Sequence, residues 1–541
     1  MKLKKMVSLF TVMCMLVALS SGCSKSTSTP SSKDATPASG TPAPNGLISK
    51  DPIKLKIYAK KAATVTPFDQ LEHFIKHSKD TNVFVEWEQP PDGTSTERFN
   101  IVLASGTLPD MFWNLVPAEY DQLKAIGGIM PVQKYLSEKD APSFNKVLKQ
   151  YPDSVKDFTQ PNGDVLFLPL FDELSTNDPL IVRGDWLDKL GLKLPVTMAE
   201  WEAYWKAVKA TDLNGNGKND EIPFSGETVD SVRSLVSAYG MIDRFFVDPK
   251  DSNKIKYSNI EPRYKDFLIW ANGLYSQGYI DHDIAVSDSK AFATKVAQNV
   301  VASYRGKLNG AFNTYMSTMP PKIPGFKLYG AEPMKAADGS QLHPGCVSVV
   351  RTNLIGGVVT KTNKYPAETV KWTDWFYDFT PETGGAFINI FGPKDVTFKY
   401  GPDGKPQYTD YVLKNPDGLS TQQALTKYTT RGQHAAITPS IGSFAMWNPL
   451  TTEAYSRVEP FYKNSLKYVV PNLPTSNANA KIIRAKMADI TTYADEMVLK
   501  FITGVEPISK FDDFTKRIKS MGIDDVLTIY NNDYKEWSKP R

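Results

Sequence analysis

The segment Thr211-Asp212-Leu213-Asn214-Gly215-Asn216-Gly217-Lys218-Asn219-Asp220-Glu221-Ile222-Pro223 is dense in groups that could bind a cation. In an EF-hand loop, oxygen side chains at positions 1, 3 and 5 and a glycine at 6 converge on one hard ion. Asp212, Asn214 and Asn216 supply those oxygens, and Gly217 permits the sharp turn. Lys218 would contribute its main-chain carbonyl, with its side chain turned outward. Position 12 is Pro223, so the loop departs from the pattern and must close through Asp220 and Glu221. The expected occupant is Ca2+. Its role is structural, because the loop begins at a helix end rather than in a cleft.

Cys23 offers different chemistry. A basic head, Met1-Lys2-Leu3-Lys4-Lys5, is followed by the apolar run Met6 to Leu19 and then Ser20-Ser21-Gly22-Cys23. This is the layout of a secretory signal, too short to span a ~30 Å hydrocarbon core. Leu-Ser-Ser-Gly-Cys resembles the lipobox of bacterial lipoproteins, in which the cysteine thiol receives a diacylglycerol and becomes the mature N-terminus. Cys14 leaves with the signal, so Cys346 is alone and no intrachain disulfide is available. Cys346, in Gly345-Cys346-Val347, reads as a small buried hydrophobe.

Aromatic residues make up 11% of the chain. Pyranose faces stack on aromatic rings while a few fixed polar groups bind hydroxyls. Trp201, Trp205 and Trp270 lie in helical patterns and read as core. Trp113, at the carboxyl end of a predicted strand, Trp447, in a Gly- and Pro-flanked loop, and Trp186 are the candidate ligand platforms. Arg183, Asp185 and Trp186 follow one apolar strand, and Tyr304 and Arg305 end another. All five are candidate ligand contacts, although Asp185 could equally cap a helix. Only five histidines are present. His73 and His77 lie four apart on a predicted helix without a His-Glu-x-x-His pattern, and read as a solvated face.

These groups need a scaffold. From Pro52 onwards short apolar runs alternate with helical patterns, the sign of an α/β protein. Strands are predicted at Ile53–Tyr58, Asn82–Trp87, Pro109–Trp113, Val165–Leu168 and Leu180–Val182. Helices are predicted at Phe68–Lys79, Asp185–Leu190, Met198–Ala210 and Tyr264–Ser276, with three more between Ala485 and Trp537. Ser24 to Gly46 holds 14 Ser, Thr or Pro among 23 residues and reads as a disordered leash. Without the signal's three lysines the chain is near neutral, with no basic tract to suggest nucleic acid.

Several segments in consistent order resemble the extracellular solute-binding proteins of ABC importers. They are Leu103-Ala104-Ser105-Gly106-Thr107-Leu108-Pro109-Asp110, Gly127-Gly128-Ile129-Met130-Pro131-Val132, and Asn162-Gly163-Asp164-Val165-Leu166-Phe167-Leu168-Pro169. Arg183-Gly184-Asp185-Trp186-Leu187-Asp188-Lys189-Leu190-Gly191 resembles a segment of the oligosaccharide-binding branch, which includes LipO-like lipoproteins and alginate-oligosaccharide-binding proteins. Leu274–Asp281 and Phe501–Gly504 also match. The resemblance implies a two-lobe periplasmic-binding-protein-like fold of type 2, with a hinge and an inter-lobe ligand cleft, and no catalysis. It also implies calcium in the 212–221 loop.

The implied division is a signal peptide at 1–22, a lipidated cysteine and linker at 23–51, one lobe from 52–172 plus about 355–440, and a second from 173–354 plus about 441–541. The implied role is a monomeric, lipid-anchored receptor on the outer face of the cell membrane, delivering an oligosaccharide to permease subunits. A surface glycoside hydrolase or lyase, or a peptide receptor of the same fold, are the alternatives.

Overall fold

The computed structural model describes residues 46–541 except 173–177, 347, 352–353, 403, 418, 420, 431–435, 439–448, 474 and 540–541. Cys23 and Trp447 therefore lie outside the described residues. The strands that organise the molecule are β1 (Ile53–Ala59), β2 (Val83–Glu88), β3 (Met111–Leu115), β4 (Leu180–Arg183), β5 (Ser303–Arg305), β6 (Leu328–Gly330) and β7 (Ile355–Val359). They form two separate sheets, in the orders β7-β3-β1-β2 and β5-β4-β6.

In the first sheet β1 is parallel to both β2 and β3, and β7 returns antiparallel to β3. Helix α1 (Glu72–Thr81) connects β1 to β2 and ends at Asn82, whose φ of 60° reverses the chain into the strand. β3 is buried at all five positions, as expected of a strand covered on both faces. In the second sheet β4 pairs antiparallel with both neighbours. A strand-like stretch at 222–225 runs parallel to β5 through the bridges Ile222 to Val301 and Ser225 to Tyr304.

Each sheet has its own apolar core. One gathers residues from Ile53 to Phe171 and from Val350 to Ile437. The other gathers Leu180 to Leu342 and Tyr468 to Val526, with helices α2 (Gly184–Leu190), α3 (Met198–Lys209) and α4 (Pro262–Ser276). The chain ends in α5 (Asn477–Thr503), α6 (Phe511–Ser520) and α7 (Ile523–Trp537), which pack on the second core through Ile490, Val498, Phe501, Phe514 and Val526. This is an α/β molecule with two lobes. At the hinge three segments run side by side: Phe171 N–H donates to Ala436 O at 2.8 Å, Asp172 N–H to Val349 O at 2.8 Å, and Arg351 N–H to Leu170 O at 2.9 Å.

Two local expectations are overturned. Val165–Leu168 forms no strand, only isolated bridges of Val165 to Thr159 and Leu168 to Gly357. His73 and His77 do not face water; both are buried, at 9% and 8% exposure. His77 stacks on Trp375 at 4.1 Å and its Nε2 meets Trp372 O at 3.2 Å, while His73 Nε2 meets Asn389 Oδ1 at 3.2 Å. Burial holds both imidazoles down to about 4, so they are neutral at neutral pH. An i, i+4 pair marks one helix face, and here a tryptophan-rich wall covers that face.

Candidate functional site

The 212–221 loop makes the tight turn that its glycines allow. Gly215 and Gly217 carry φ of +76° and +82°, a turn that side chains resist. Asp212 Oδ1 accepts N–H bonds from Gly215 at 2.7 Å and Asn216 at 3.1 Å, and its Oδ2 accepts one from Gly217 at 2.8 Å. Asn214 and Asn216 both reach Asp220 Oδ1 at 3.1 Å through their amides. These hydrogen bonds, Asn216 first, hold the Asp220 carboxyl below its usual range. The amide oxygens of Asn214 and Asn216 accept the N–H groups of Asn216 at 3.0 Å and Lys218 at 2.9 Å, so four oxygen-bearing side chains are gathered in one turn. Lys218 is exposed there, and the carbonyl of Leu213 is held by Lys189 Nζ at 2.7 Å.

Glu221 supplies the test of fit. Its side chain is fully buried, and Oε1 accepts the N–H groups of Leu213 at 2.7 Å and Asn214 at 3.0 Å. Oε2 is buried with no hydrogen-bond partner. A buried carboxylate oxygen without a partner is costly, and a cation beside it removes that cost. Among the described residues no three His, Cys, Asp or Glu side chains gather as a metal set. The loop's capacity therefore depends on its amides and carbonyls as well as its carboxylates.

The anticipated ligand contacts divide. Trp113 is 1% exposed and forms part of the first core, meeting Phe376 edge-on at 4.4 Å and Trp372 at 5.9 Å. Trp186 is fully buried. Arg183 is 3% exposed, stacks over Trp186 at 4.2 Å and Phe326 at 4.4 Å, and donates to Asp185 at 2.9 and 2.7 Å and to Asn299 at 2.7 Å. Tyr304 is buried among Phe292 and Tyr315. As sugar platforms Trp113 and Trp186 are corrected: neither ring has a free face. Arg183, Asp185 and Tyr304 are corrected likewise, because their groups are enclosed and Arg183 and Asp185 are spent on each other.

Arg305 differs. It is partly exposed at the carboxyl end of β5 and pairs with Asp178 at 2.7 Å. In open α/β sheets, ligands enter at the carboxyl ends of strands. By that rule the first lobe offers Lys60 and Lys61 after β1, the Glu88–Pro91 turn after β2, and Asn114 with Val116 at the end of β3. Lys60 Nζ meets Glu119 at 2.7 Å, and Lys61 Nζ donates to Val65 O at 2.8 Å. Asn114 has a φ of +61°. A cavity of about 420 Å³ opens beside the β2 turn, lined by Gln89, Pro91, Glu97, Arg98 and Ile101. On the second lobe Glu227 follows the 222–225 stretch and accepts from Ser289 Oγ at 2.8 Å. Sequence reasoning missed Lys60, Glu119, Asp178 and Glu227. Of these only Lys60 follows a predicted strand, so the sequence carried a signal for that residue alone.

No family model matches the chain. It is 25% identical over 513 residues to the fructooligosaccharide ABC transporter substrate-binding protein FusA of Streptococcus pneumoniae, covering 88% of this chain and 89% of that one. It is 25% identical over 479 residues to the polygalacturonan/rhamnogalacturonan-binding protein YtcQ of Bacillus subtilis, covering 87% and 89%. The chain is a homologue of ABC-transporter substrate-binding proteins. Lipoprotein LipO of Bacillus subtilis is 28% identical over 248 residues, covering 44% of this chain and 47% of LipO. The fold agrees with a solute-binding protein of Bifidobacterium longum subsp. infantis, at a TM-score of 0.72 and 18% identity over 90% of this chain and 99% of that one. It agrees also with the alginate-binding protein AlgQ2 solved without calcium ion, at 0.65 and 22% over 91% and 99%. An EF-hand mutant of FusA with fructo-nystose matches at 0.63 and 18% over 90% and 99%. Among the described residues no helix is long and apolar enough to cross a membrane.

Proposed function

We propose that this protein is the extracellular receptor of an ABC importer, binding an oligosaccharide between its lobes without cleaving it. The observation that carries the reading is the full-length likeness to FusA and YtcQ, named for fructooligosaccharide and for polygalacturonan/rhamnogalacturonan, joined to two separately cored lobes meeting at a three-segment hinge. The lobes divide as 52–172 with about 355–440, and 173–354 with about 441–541. Closure would bring groups from both lobes onto one ligand, so contacts made only in the closed form shift that population. The proposed contacts are Lys60, Lys61 and Asn114 from one lobe and Arg305 and Glu227 from the other, with Trp447 retained as a platform. Lipidation at Cys23 holds the receptor at the outer membrane face, where it meets the permease. Asp212, Asn214, Asn216, the Lys218 carbonyl, Asp220 and Glu221 hold a structural calcium.

The ligand favoured is uncharged. Lys60 and Arg305 already face Glu119 and Asp178, and Arg98 faces Glu88 at 2.5 Å. Such pairs bind hydroxyls well but offer a polyuronate few unspent cations. Calorimetry with 1-kestose and trigalacturonate, followed by product analysis, tests the reading. Binding of a neutral oligosaccharide without shorter products is expected. Release of shorter products at a catalytic rate would replace the receptor with a hydrolase or lyase.

A further inference from the structure

The C-terminal helices are attached to the two lobes by different kinds of contact. Against the second lobe α5, α6 and α7 bury an apolar core, reinforced where Asn531 exchanges two 2.9 Å bonds with the backbone of Ile255. Against the first lobe the described contacts are polar. Arg484 on α5 reaches Asp121 at 3.2 Å, with both groups well exposed. The other contact centres on Asp157, in the short helix Val155–Phe158 of the first lobe.

Asp157 is 8% exposed and serves three separate segments. Its Oδ1 accepts the indole N–H of Trp537, the last residue of α7, at 3.1 Å. Its Oδ2 accepts Ser348 Oγ at 3.0 Å, from the segment that crosses between the lobes. Its main-chain carbonyl accepts Asn472 Nδ2 at 2.6 Å, from the chain entering α5. The Trp537 ring is held in place as well, stacked on Tyr534 at 5.6 Å with Lys156 Nζ above it at 5.3 Å. The neighbouring Phe158 is buried in the first core, whereas α7 is rooted in the second.

An apolar contact is non-directional and survives small sliding, whereas a hydrogen-bonded carboxylate has one good geometry. A strap rooted by apolar packing on one lobe and fastened by hydrogen bonds to the other can release at the fastened end as a unit. We infer that the Asp157–Trp537–Ser348 junction is a latch between the lobes, holding the lobe arrangement seen here and breaking when the lobes move about the hinge. The burial that pushes the Asp157 carboxyl up to about 6 supports this, since its charge is tolerated there only through those donors. The inference rests on the receptor reading only in taking lobe movement as the working motion.

The test needs no ligand. Spin labels at Lys76→Cys on α1 and Lys206→Cys on α3, exposed sites on the first and second lobes, report the inter-lobe distance by electron–electron double resonance in the full chain. Trp537→Phe keeps the ring on Tyr534 but removes the N–H donor. Relative to the otherwise unchanged chain, it should add a new distance population while leaving the melting temperature nearly unmoved. Asp157→Asn should add the same population, and Arg484→Ala combined with Trp537→Phe should enlarge it. Superimposable distance distributions in Trp537→Phe and the parent would overturn the latch, whether or not Asp157→Asn folds. A melting temperature that falls with no new population would mark the junction as structural only. Failure of 1-kestose and of trigalacturonate to bind would count against the receptor reading and leave this result standing.

Discussion

Two polar clusters in the second lobe, fewer than thirty residues apart in sequence, have opposite fates. Arg183 is enclosed between Trp186 and Phe326, and its donors are taken by Asp185 and Asn299. In the 212–221 loop the side chains are mostly exposed, yet one oxygen of the buried Glu221 has no partner. Both clusters are rich in the residue types that bind ligands. The first is complete within the protein and fastens α2 to β4. The second leaves one buried carboxylate oxygen unmatched. A charged side chain therefore points to a ligand through what it leaves unsatisfied, more than through its type.

The comparison is most severely tested by removing the enclosed charge. Arg183→Ala would leave the largely buried Asp185 without its cation, at a cost of roughly 3–5 kcal/mol. Denaturant melts should show a large loss of stability, while sugar affinity of the fraction that folds stays unchanged. A loss of affinity without loss of stability would return Arg183 to the binding site.

The first lobe supplies a pH version of the same test. His73 and His77 sit at about 4, held there by burial, below the usual 6.5 of a free imidazole. A depressed histidine contributes stability that is full above 6.5 and lost as pH falls towards 4. His343, lowered to about 3 by burial, acts in the same sense, and Asp157, raised to about 6, acts in the opposite one. At 1.36 kcal/mol per unit, each imidazole of the pair is worth roughly 3 kcal/mol. Melting temperature should drop between pH 6.5 and 4, and His77→Phe should blunt the drop. A flat profile would mean that the histidines reach solvent.

For the loop, calcium at about 100 times its Kd should add roughly 2.7 kcal/mol. Chelator should lower the melting temperature, and Glu221→Gln or Asp212→Ala should abolish that response. A melt insensitive to calcium in the parent would place the loop with the self-sufficient clusters. The smallest effect on stability is expected for Arg305→Ala, about 1 kcal/mol, because its pair with Asp178 is only partly buried. It should instead weaken 1-kestose affinity tenfold or more by calorimetry. The reverse pattern would make Arg305 a structural residue like Arg183.

Much of the scaffold was legible because its signals are local. The alternation of short apolar runs with helical patterns located β1, β2, β3 and α2 to α4, and three helices were expected between Ala485 and Trp537. Thr197 and Glu200 cap α3 reciprocally, at 3.3 and 2.8 Å, just where the helical pattern begins. The turn at 212–221 was legible for the same reason, since ten residues bring their own side chains together. α5 begins earlier than predicted, at Asn477, where Ser476 caps it.

The ligand residues were not legible, because burial is decided by partners distant in sequence. Trp113 looked like a platform from its place beside a strand end, but Trp372 and Phe376 close over it from some 260 residues away. His73 and His77 looked solvated until Trp375 and Asn389 covered their face. The sequence by itself determined most of the main strands and helices and the tight turn at 212–221, which depend on neighbours along the chain. Only the tertiary structure decided which polar groups complete one another inside a lobe and which stay partly exposed at a strand's carboxyl end, as Arg305 does.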